Sequence, residues 1–347
     1  MKNFHKLLIT AVTSALFISA SAQAEQTGAN TSSMNASQFT KLPGKASFIH
    51  GDNLIDGPVM YSNKVTSSVA QSLQDRAQGL KTVMVTRDGD QYEATIDAKD
   101  LAIFEKAINS LQQLGADKAL FNSPGHLPTV MPERSNRRQV PGDTQGKVHG
   151  TDTRTQITNT VQNPYWYIGR IAIGCSGTLV GPKHVLTAGH CVADGSGNWH
   201  SSLNFSVGQD GSYKPWGSEN WANAMTTSQW FNNKNAEYDY GMIILQEAPH
   251  GGWTGYGNYA GGTHSVTGYP GDKPTGQLWT DSSSTSSSAR QIFYSMDTAG
   301  GQSGSGIADS GNTVRGIHAY GYSSNNGGTR ITSTVYNQIS SWISANP

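Results

Sequence analysis

The chain has 347 residues with a formal net charge of zero, and only 14% of its residues are charged. A neutral balance of this kind gives no reason to expect a nucleic acid or an acidic lipid surface as a partner. The 40 glycines, together with many Ser, Thr and Asn residues, are typical of a turn-rich all-β protein, and the 14 Tyr and 8 Trp argue against general disorder.

The first residues have the pattern of an export signal. Two lysines flank the start of an apolar run over residues 7–20, and Ala22-Gln23-Ala24 follows as a small-x-small cleavage site. The run is shorter than the roughly 20 residues that a membrane-spanning helix needs. We therefore expect residues 1–24 to be a signal peptide, and the mature protein to be secreted and free of the membrane.

Residues 25–147 are predicted to form a pro-segment that ends in a linker. Residues 25–48 are polar and expected to be loosely ordered. The stretch 124–150 is rich in Pro and Gly and contains the pair Arg137-Arg138, so it resembles an exposed linker where proteolytic nicking concentrates. The dibasic pair is either a processing site or a solvated charge patch. We place the domain boundary in this linker, with a second domain over residues 148–347.

The middle of the pro-segment is predicted to be a small α+β unit. Thr82–Thr86 and Tyr92–Ile96 are expected to be strands joined by the turn Asp88-Gly89-Asp90. A helix capped by Asp97 or Asp100 should follow. Its apolar residues recur at helical spacing: Leu101, Phe104, Ala107, Ile108 and Leu111.

The second domain is predicted to be all-β. Short apolar or alternating runs are separated by glycine turns: Trp166 to Ile173, Gly177 to Val180, His184 to Thr187, Met242 to Leu245, Ser265 to Gly268 and Val314 to Ala319. The serine-rich run from Asp281 to Ser288 has no apolar anchor and is expected to be a solvent loop. Ile339, Trp342 and Ile343 form one face of a short C-terminal helix.

Three segments contain the residue types of a nucleophilic triad. Ser303 lies in Gly300-Gly301-Gln302-Ser303-Gly304-Ser305, His190 lies in Thr187-Ala188-Gly189-His190-Cys191, and Asp239 begins Asp239-Tyr240-Gly241. A serine hydroxyl is a poor nucleophile until a base accepts its proton and an acid orients that base. Glycines beside the serine let backbone N–H groups point at a developing oxyanion.

The two cysteines of the chain, Cys175 and Cys191, are expected to pair in an exported protein. Closing this short loop would stabilise the fold by about 3 kcal/mol on the chain-entropy estimate. A catalytic cysteine is the competing interpretation. A structural zinc site would need four ligands, and this sequence shows no such spacing.

Taken in chain order, the His, Asp and Ser segments resemble the chymotrypsin-fold serine peptidases, whose triad runs in that order. The resemblance implies two six-stranded antiparallel β-barrels with the site in the cleft between them. It implies His190 as general base, Asp239 as its orienting carboxylate and Ser303 as nucleophile. The amides of Gly301 and Ser303 would form the oxyanion hole.

Further segments are similar to the glutamyl endopeptidases of staphylococci and bacilli, over residues 148–347. They are Arg154 to Thr160, Val266 to Pro274, Asp297-Thr298 and Gly316-Ile317-His318-Ala319. This resemblance implies that His318 and Thr298 recognise a substrate glutamate. It also implies a mature start near Lys147 or Val148, whose freed amine helps to bind the substrate carboxylate in staphylococcal relatives.

Two other readings remain open. Asp297 lies six positions before Ser303, where trypsin-like enzymes hold the carboxylate that binds Lys or Arg, so a trypsin-like specificity is the runner-up. Gln302 is neutral and cannot supply the ion pair by which chymotrypsin-like zymogens are activated. The rival from another class is a non-catalytic secreted protein that acts by binding.

The expected partners are protein or peptide substrates, met by a monomer without a cofactor. Metal is not implied, because neither a His-Glu-x-x-His pattern nor a carboxylate loop of EF-hand spacing occurs. A calcium ion bound at the surface requires neither pattern. The sequence does not identify the physiological substrate or the protease that matures the chain.

Overall fold

The computed structural model describes residues 39–50, 73–96, 148–322 and 324–347, with short helical stretches between residues 98 and 106. The predicted signal peptide, the linker from Pro124 to Lys147 with Arg137-Arg138, and the predicted helix beyond Lys106 lie outside the described residues. Within these ranges no helix is both long and apolar enough to cross a membrane.

The described part of the chain is mostly β. Its strands are β1 (Thr40–Lys45), β2 (Phe48–Ile49), β3 (Thr82–Thr86), β4 (Asp90–Ala94), β5 (Thr155–Ile157), β6 (Ile168–Ile171), β7 (Ser176–Gly181), β8 (His184–Thr187), β9 (Trp199–His200), β10 (Phe205–Val207), β11 (Trp221–Thr227), β12 (Gly241–Leu245), β13 (Gly262–Gly268), β14 (Leu278–Ser287), β15 (Gln291–Tyr294), β16 (Gly306–Asp309), β17 (Val314–Gly321) and β18 (Asn326–Arg330). Its helices are α1 (Leu73–Gly79), α2 (Ser228–Asn233) and α3 (Ser333–Ala345).

The first barrel is built from six antiparallel strands in the order β11-β12-β8-β7-β6-β10. It closes where Phe205 in β10 exchanges two backbone hydrogen bonds, of 2.9 and 2.8 Å, with Glu219 just before β11. Every residue of β7, β8 and β12 is buried, because these central strands face the barrel core on one side and neighbouring structure on the other.

The second barrel has the order β13-β16-β17-β18-β15-β14, and β13 pairs again with β14 over seven residue pairs to close it. β5 pairs with the first three residues of β14, Leu278 to Thr280. Close strand approach depends on glycine at Gly328, where a Cβ atom would lie 1.9 Å from the carbonyl oxygen of Ile317. The predicted all-β fold with two barrels is thus confirmed.

The C-terminal helix is also confirmed, as α3. Thr332 caps it by accepting a hydrogen bond from the backbone N–H of Val335. Its buried face includes Ile339 and Trp342, as predicted, and the ring of Trp342 lies 5.7 Å from that of Tyr240. Trp342 of this helix therefore packs against Tyr240, the residue that follows Asp239.

The solvent loop predicted from Asp281 to Ser288 is wrong, because all of these residues except Ser288 lie in β14. The strand pairs with β13 over most of its length, so its backbone polar groups are satisfied without apolar side chains. From residue 281 to residue 286 the side chains alternate between half-buried and exposed. A strand whose outer face is made of hydroxyls lacks the apolar alternation on which the prediction relied.

The upstream hairpin predicted around Gly89 is confirmed, with β4 beginning two residues earlier than expected. The loose order expected to residue 48 is wrong for β1 and β2. β1 pairs with β4, and β2 pairs in parallel with β9. Tertiary pairing orders these polar residues where local sequence gives no signal, since their partners lie 45 or more residues away. β3 in turn pairs with β11, so the sheet of the first barrel continues into the upstream hairpin.

Candidate active site

His190 and Asp239 are brought together by the pairing of β8 with β12. His190 follows β8 in a 3-10 turn, Asp239 precedes β12, and the register sets Thr187 opposite Gly241. The Nδ1 atom of His190 lies 2.7 Å from Oδ2 of Asp239, and the backbone N–H of His190 donates to Oδ1 at 2.7 Å. With Nδ1–H donating to the carboxylate, Nε2 is left to accept a proton.

The carboxylate of Asp239 is fully buried, and further groups hold it. The hydroxyl of Tyr320, in β17 of the second barrel, donates to Oδ2. The hydroxyl of Thr329, in β18, donates to the carbonyl oxygen of Asp239 at 2.9 Å. A Cβ atom at Gly189 would lie 2.9 Å from Oδ1, so the carboxylate approaches the backbone there closely enough to favour glycine.

Ser303 is positioned by contacts between its loop and the first barrel. The backbone N–H of Ser176 donates to the carbonyl oxygen of Ser303 at 2.8 Å, and the hydroxyl of Ser176 donates to that of Gly301 at 2.8 Å. Gly304 has φ +86°, and a Cβ atom there would lie 2.0 Å from Oγ1 of Thr187. The loop that carries Ser303 thus packs closely against the end of β8, immediately before the turn that contains His190.

The backbone on the N-terminal side of Ser303 is held by a second group of contacts. The carbonyl oxygen of Gly300 accepts from the N–H of Gly271 at 2.6 Å. Gly301 is buried, with φ +93°, and a Cβ atom there would lie 2.6 Å from the carbonyl oxygen of Tyr269. Oε1 of Gln302 accepts from the N–H of Ala299 at 3.0 Å, which fixes the turn from the inside.

Arg154 connects this turn to a buried ion-pair network. Its guanidinium donates to Oε1 of Gln302 at 3.3 Å, to Asp272 at 2.9 Å and to Asp152 at 2.9 Å. Burial would lower the pKa of Arg154, but its hydrogen bonds to the two carboxylates outweigh this and raise it. The same contact lowers the pKa of Asp152. The sequence marked Arg154 only as part of a resemblance.

His318 lies in β17 and is buried beside the triad. Its Nδ1 atom is 2.5 Å from the hydroxyl oxygen of Tyr294. The carbonyl oxygen of His318 accepts from the N–H of Gly304, so the strand runs directly past the nucleophile loop. Burial, followed by the nearby charge of His190, lowers the pKa of His318 to about 3. His318 is therefore neutral in the free protein. Thr298 is buried in the segment between β15 and Ser303.

Asp297 is buried, and both of its carboxylate oxygens are engaged. Oδ1 accepts from the backbone N–H of His149 at 2.8 Å. Oδ2 accepts from the N–H and the hydroxyl of Thr153, each at 2.9 Å. The carboxylate thus anchors residues 149–153 to the second barrel.

The expected disulfide joins Cys175 to Cys191. Its two sulfurs and a ring nitrogen of His190 lie within 4.8 Å of one another, a grouping that could hold a metal ion. A metal binds cysteine as a thiolate, whereas these sulfurs are bonded to each other. Nδ1 of His190 is also held by Asp239. These residues therefore do not fit a metal centre.

Comparisons with known proteins agree with this geometry. A family model described as a trypsin-like peptidase domain matches residues 175–317. A glutamyl endopeptidase of Bacillus licheniformis is 34% identical over 276 residues, which cover 72% of this chain and 82% of that protein. A Bacillus subtilis protein named extracellular metalloprotease is 37% identical over 214 residues, covering 56% of this chain and 68% of that protein.

A solved structure described as a Glu endopeptidase in complex with MPD superimposes on this chain with a TM-score of 0.52 at 30% identity. It covers 56% of this chain and 98% of its own. The Bacillus subtilis relative is named a metalloprotease. The cluster of Cys175, His190 and Cys191 in this chain does not fit a metal ion, because its two sulfurs form a disulfide.

Proposed function

The chain belongs to the chymotrypsin-fold serine peptidases, as a homologue of glutamyl endopeptidases, and we propose that this serine endopeptidase is secreted and cleaves peptide bonds after Glu and, less well, after Asp. The observation that carries the specificity is the position of His318, which is buried and whose backbone bonds to Gly304 and Ser305 directly after Ser303. An uncharged imidazole can donate to an arriving carboxylate, and its protonation becomes more favourable once the anion is present.

The proposed chemistry uses three side chains. Ser303 Oγ attacks the scissile carbonyl carbon while Nε2 of His190 accepts its proton, and Asp239 stabilises the imidazolium. The oxyanion is held by the amides of Gly301 and Ser303. The imidazolium then protonates the leaving amine, and a water molecule, deprotonated by His190, hydrolyses the acyl-enzyme and releases Ser303.

Tyr294 sets the form in which His318 meets the substrate. Burial raises the pKa of Tyr294 well above its ordinary value, so the phenol keeps its proton, and we infer that it donates a hydrogen bond to Nδ1 of His318. The proton of the imidazole then resides on Nε2, which serves as the donor to the substrate carboxylate. Thr298, buried in the same segment as Asp297, supplies a hydroxyl as the second donor.

The trypsin-like alternative requires Asp297 to receive a cationic side chain. Both oxygens of this carboxylate already accept hydrogen bonds from His149 and Thr153. A lysine or arginine substrate would compete with these bonds for the carboxylate. This arrangement favours an acidic residue before the scissile bond.

The test is digestion of a peptide library, with the cleavage products read by mass spectrometry. We expect Glu before most cuts and Asp before a minority. Cuts mainly after Lys or Arg would overturn the specificity. The same spectra give the N-terminus of the mature enzyme, which we expect near Val148.

A fluorophosphonate probe separates an enzyme from a protein that only binds. The processed wild-type chain should be labelled, and Ser303→Ala should not. Absence of labelling in the processed wild type would support the binding protein.

A further inference from the structure

The sheet of the first barrel does not end at the barrel. β3, β4 and β1 continue it beyond β11, and β2 lies against β9. We name residues 39–50 and 73–96 the hairpin unit. We propose that β11 and one face of α3 form a docking surface for the hairpin unit, which stays bound by strand addition after the linker from Pro124 to Lys147 is cut. This goes beyond the peptidase activity, because it assigns a binding surface and its occupant.

The backbone contact is a continuous ladder. β3 and β11 pair over five residues, from Thr86 opposite Asn223 to Thr82 opposite Thr227. Further bonds continue the contact at both ends. The N–H of Arg87 donates to the carbonyl oxygen of Ala222 at 2.8 Å, and the N–H of Ser228 donates to the carbonyl oxygen of Lys81 at 2.7 Å. Adding a strand to an exposed sheet edge is a recurring mode of peptide recognition.

Thr82 makes the side-chain contact that joins the unit to α3. Its hydroxyl oxygen accepts from Nε2 of Gln338 at 3.0 Å and from Nε1 of Trp342 at 2.9 Å. Gln338 also donates to the carbonyl oxygen of Leu80 at 2.6 Å. Gln338 and Trp342 are each about 1% exposed, so loss of Thr82 would leave two buried donors without that acceptor.

Apolar contacts surround these hydrogen bonds. Val85 of β3 is fully buried, and the ring of Phe48 meets the ring of Trp221 edge-on at 6.1 Å. Gly79 lies so close to Tyr238 that a Cβ atom there would be 2.4 Å from the phenol oxygen. Tyr238 is the residue before Asp239. The unit therefore packs directly behind the catalytic carboxylate.

The hairpin unit is an addition to the barrel rather than one of its closing strands. The six strands from β11 to β10 close through Phe205 and Glu219 without any residue of the unit. Lys41 and Lys45 bind Asp90 and Lys81 binds Glu93 within the unit, while Arg76 binds Glu105 of the adjoining helical stretch. The ladder itself is made by backbone groups, so we expect docking to resist salt.

The first experiment uses the full chain carrying Ser303→Ala, so that it cannot process itself. Brief trypsin treatment should cut the linker at its basic residues, and mass spectrometry of both fragments verifies the site. The nicked protein is then passed through a sizing column in 1 M NaCl. We expect both fragments in one peak. Two separate peaks would overturn the proposal.

The second experiment compares two threonines of β3 in the same background. Thr82→Val removes the acceptor used by Gln338 and Trp342, and the fragments of the nicked protein should separate at least about tenfold faster. Thr86→Val is the matched control, because the hydroxyl of Thr86 accepts from the N–H of Asp90 within the unit. Equal rates for the two variants would contradict the role given to Thr82.

Thr82→Ser restores the hydroxyl and should return the slow separation. If Thr82→Val does not fold, Phe48→Ala tests the surface independently, because it removes the ring against Trp221 and leaves the ladder intact. We expect several-fold faster separation for Phe48→Ala. A rate equal to that of the unsubstituted nicked protein would count against the docking surface.

Discussion

The first barrel closes through one bridge between Phe205 and Glu219, whereas the second closes through the seven pairs of β13 and β14. Each barrel also accepts one strand from the preceding chain, β3 beside β11 and β5 beside β14. The first barrel supplies His190 and Asp239, and the second supplies Ser303 and His318. Neither barrel holds its own share of the site alone.

Each barrel instead stabilises the active residues of the other. Tyr320 and Thr329 of the second barrel bind Asp239. Ser176 of the first barrel binds the carbonyl oxygens of Gly301 and Ser303. The difference between the barrels is that the nucleophile loop has an additional anchor in Arg154, which is contributed by the segment leading into β5. Disturbing the second barrel should therefore have the largest effect on catalysis.

Arg154→Met should have the largest effect. It leaves the buried Asp272 without its cation and removes a donor from Gln302, so the loop that carries Gly301 is no longer fixed. We expect kcat/KM to fall by about 10²- to 10³-fold, as when an oxyanion donor is lost. The free energy of unfolding should fall by about 3–5 kcal/mol, because a buried pair is broken. Enzyme assays at a temperature below the unfolding midpoint measure kcat/KM, and urea titration measures the free energy of unfolding.

Two variants control for general damage by Arg154→Met. Lys273→Met removes the more exposed cation bound to Asp152, and its cost should stay below about 1 kcal/mol with kcat unchanged. Arg154→Lys keeps the charge but loses the planar guanidinium. Its kcat/KM and its free energy of unfolding should therefore lie between those of Arg154→Met and Lys273→Met. Unchanged kcat/KM in Arg154→Met would show that the loop holds itself.

His318→Ala should remove selectivity while the triad stays intact. Loss of the buried partner of a substrate carboxylate should lower kcat/KM for a Glu substrate by about 10²-fold and that for the matching Gln substrate much less. His264→Ala is the control, since His264 is a buried histidine of the same barrel that bonds to Gly262. A Glu-to-Gln preference that survives in His318→Ala would show that another group recognises the substrate.

Tyr320→Phe breaks one bond between the barrels. The carboxylate of Asp239 loses a donor and holds the imidazolium proton of His190 more strongly. We expect kcat to fall about tenfold with little change in KM. Tyr322→Phe is the control, because its hydroxyl donates to Gln291 rather than to Asp239. A kcat for Tyr320→Phe equal to that of Tyr322→Phe, or a loss that appears in KM instead, would refute this positioning role.

One histidine of each barrel should make the stability of the fold depend on pH. Burial lowers the pKa of His200 to about 4 and that of His318 to about 3, below the unfolded value of about 6.5. As the pH falls below about 6.5, the unfolded chain binds protons that the folded chain does not. The free energy of unfolding should therefore fall by about 1.4 kcal/mol per pH unit for each histidine.

Urea unfolding of Ser303→Ala at pH 7, 6 and 5 measures this slope. His200→Gln and His318→Gln should each lower the slope of the free energy of unfolding against pH by the contribution of one histidine, about 1.4 kcal/mol per pH unit. A slope that neither substitution changes would mean that other groups carry the acid sensitivity.

The fold and the approach of His190 to Asp239 were predictable because their signals are local or ordered along the chain. The strands around His190 and Asp239 alternate in short apolar runs, and the triad order is a property of the sequence itself. Arg154 and Tyr320 were not predicted in their roles, because each acts on a residue 148 or 81 positions away. No local period encodes such a contact.

The hydroxyl-rich strand β14 was missed for a different reason. Its stability comes from backbone pairing with β13, β15 and β5, whereas apolar periodicity reports only side-chain burial. Asp297 shows the limit for specificity. Its sequence position matches a cation-binding carboxylate, and only the contacts with His149 and Thr153 reveal that it is already engaged.

The edge of β11 has a consequence for handling the purified mature enzyme. Once the hairpin unit has left, one row of N–H and C=O groups between Trp221 and Thr227 faces water. Unprotected strand edges pair with those of other copies, which leads to association and precipitation. Concentrated stocks of the enzyme should therefore scatter more light during storage than stocks of the nicked complex. A formulation that retains the hairpin unit would have the longer shelf life.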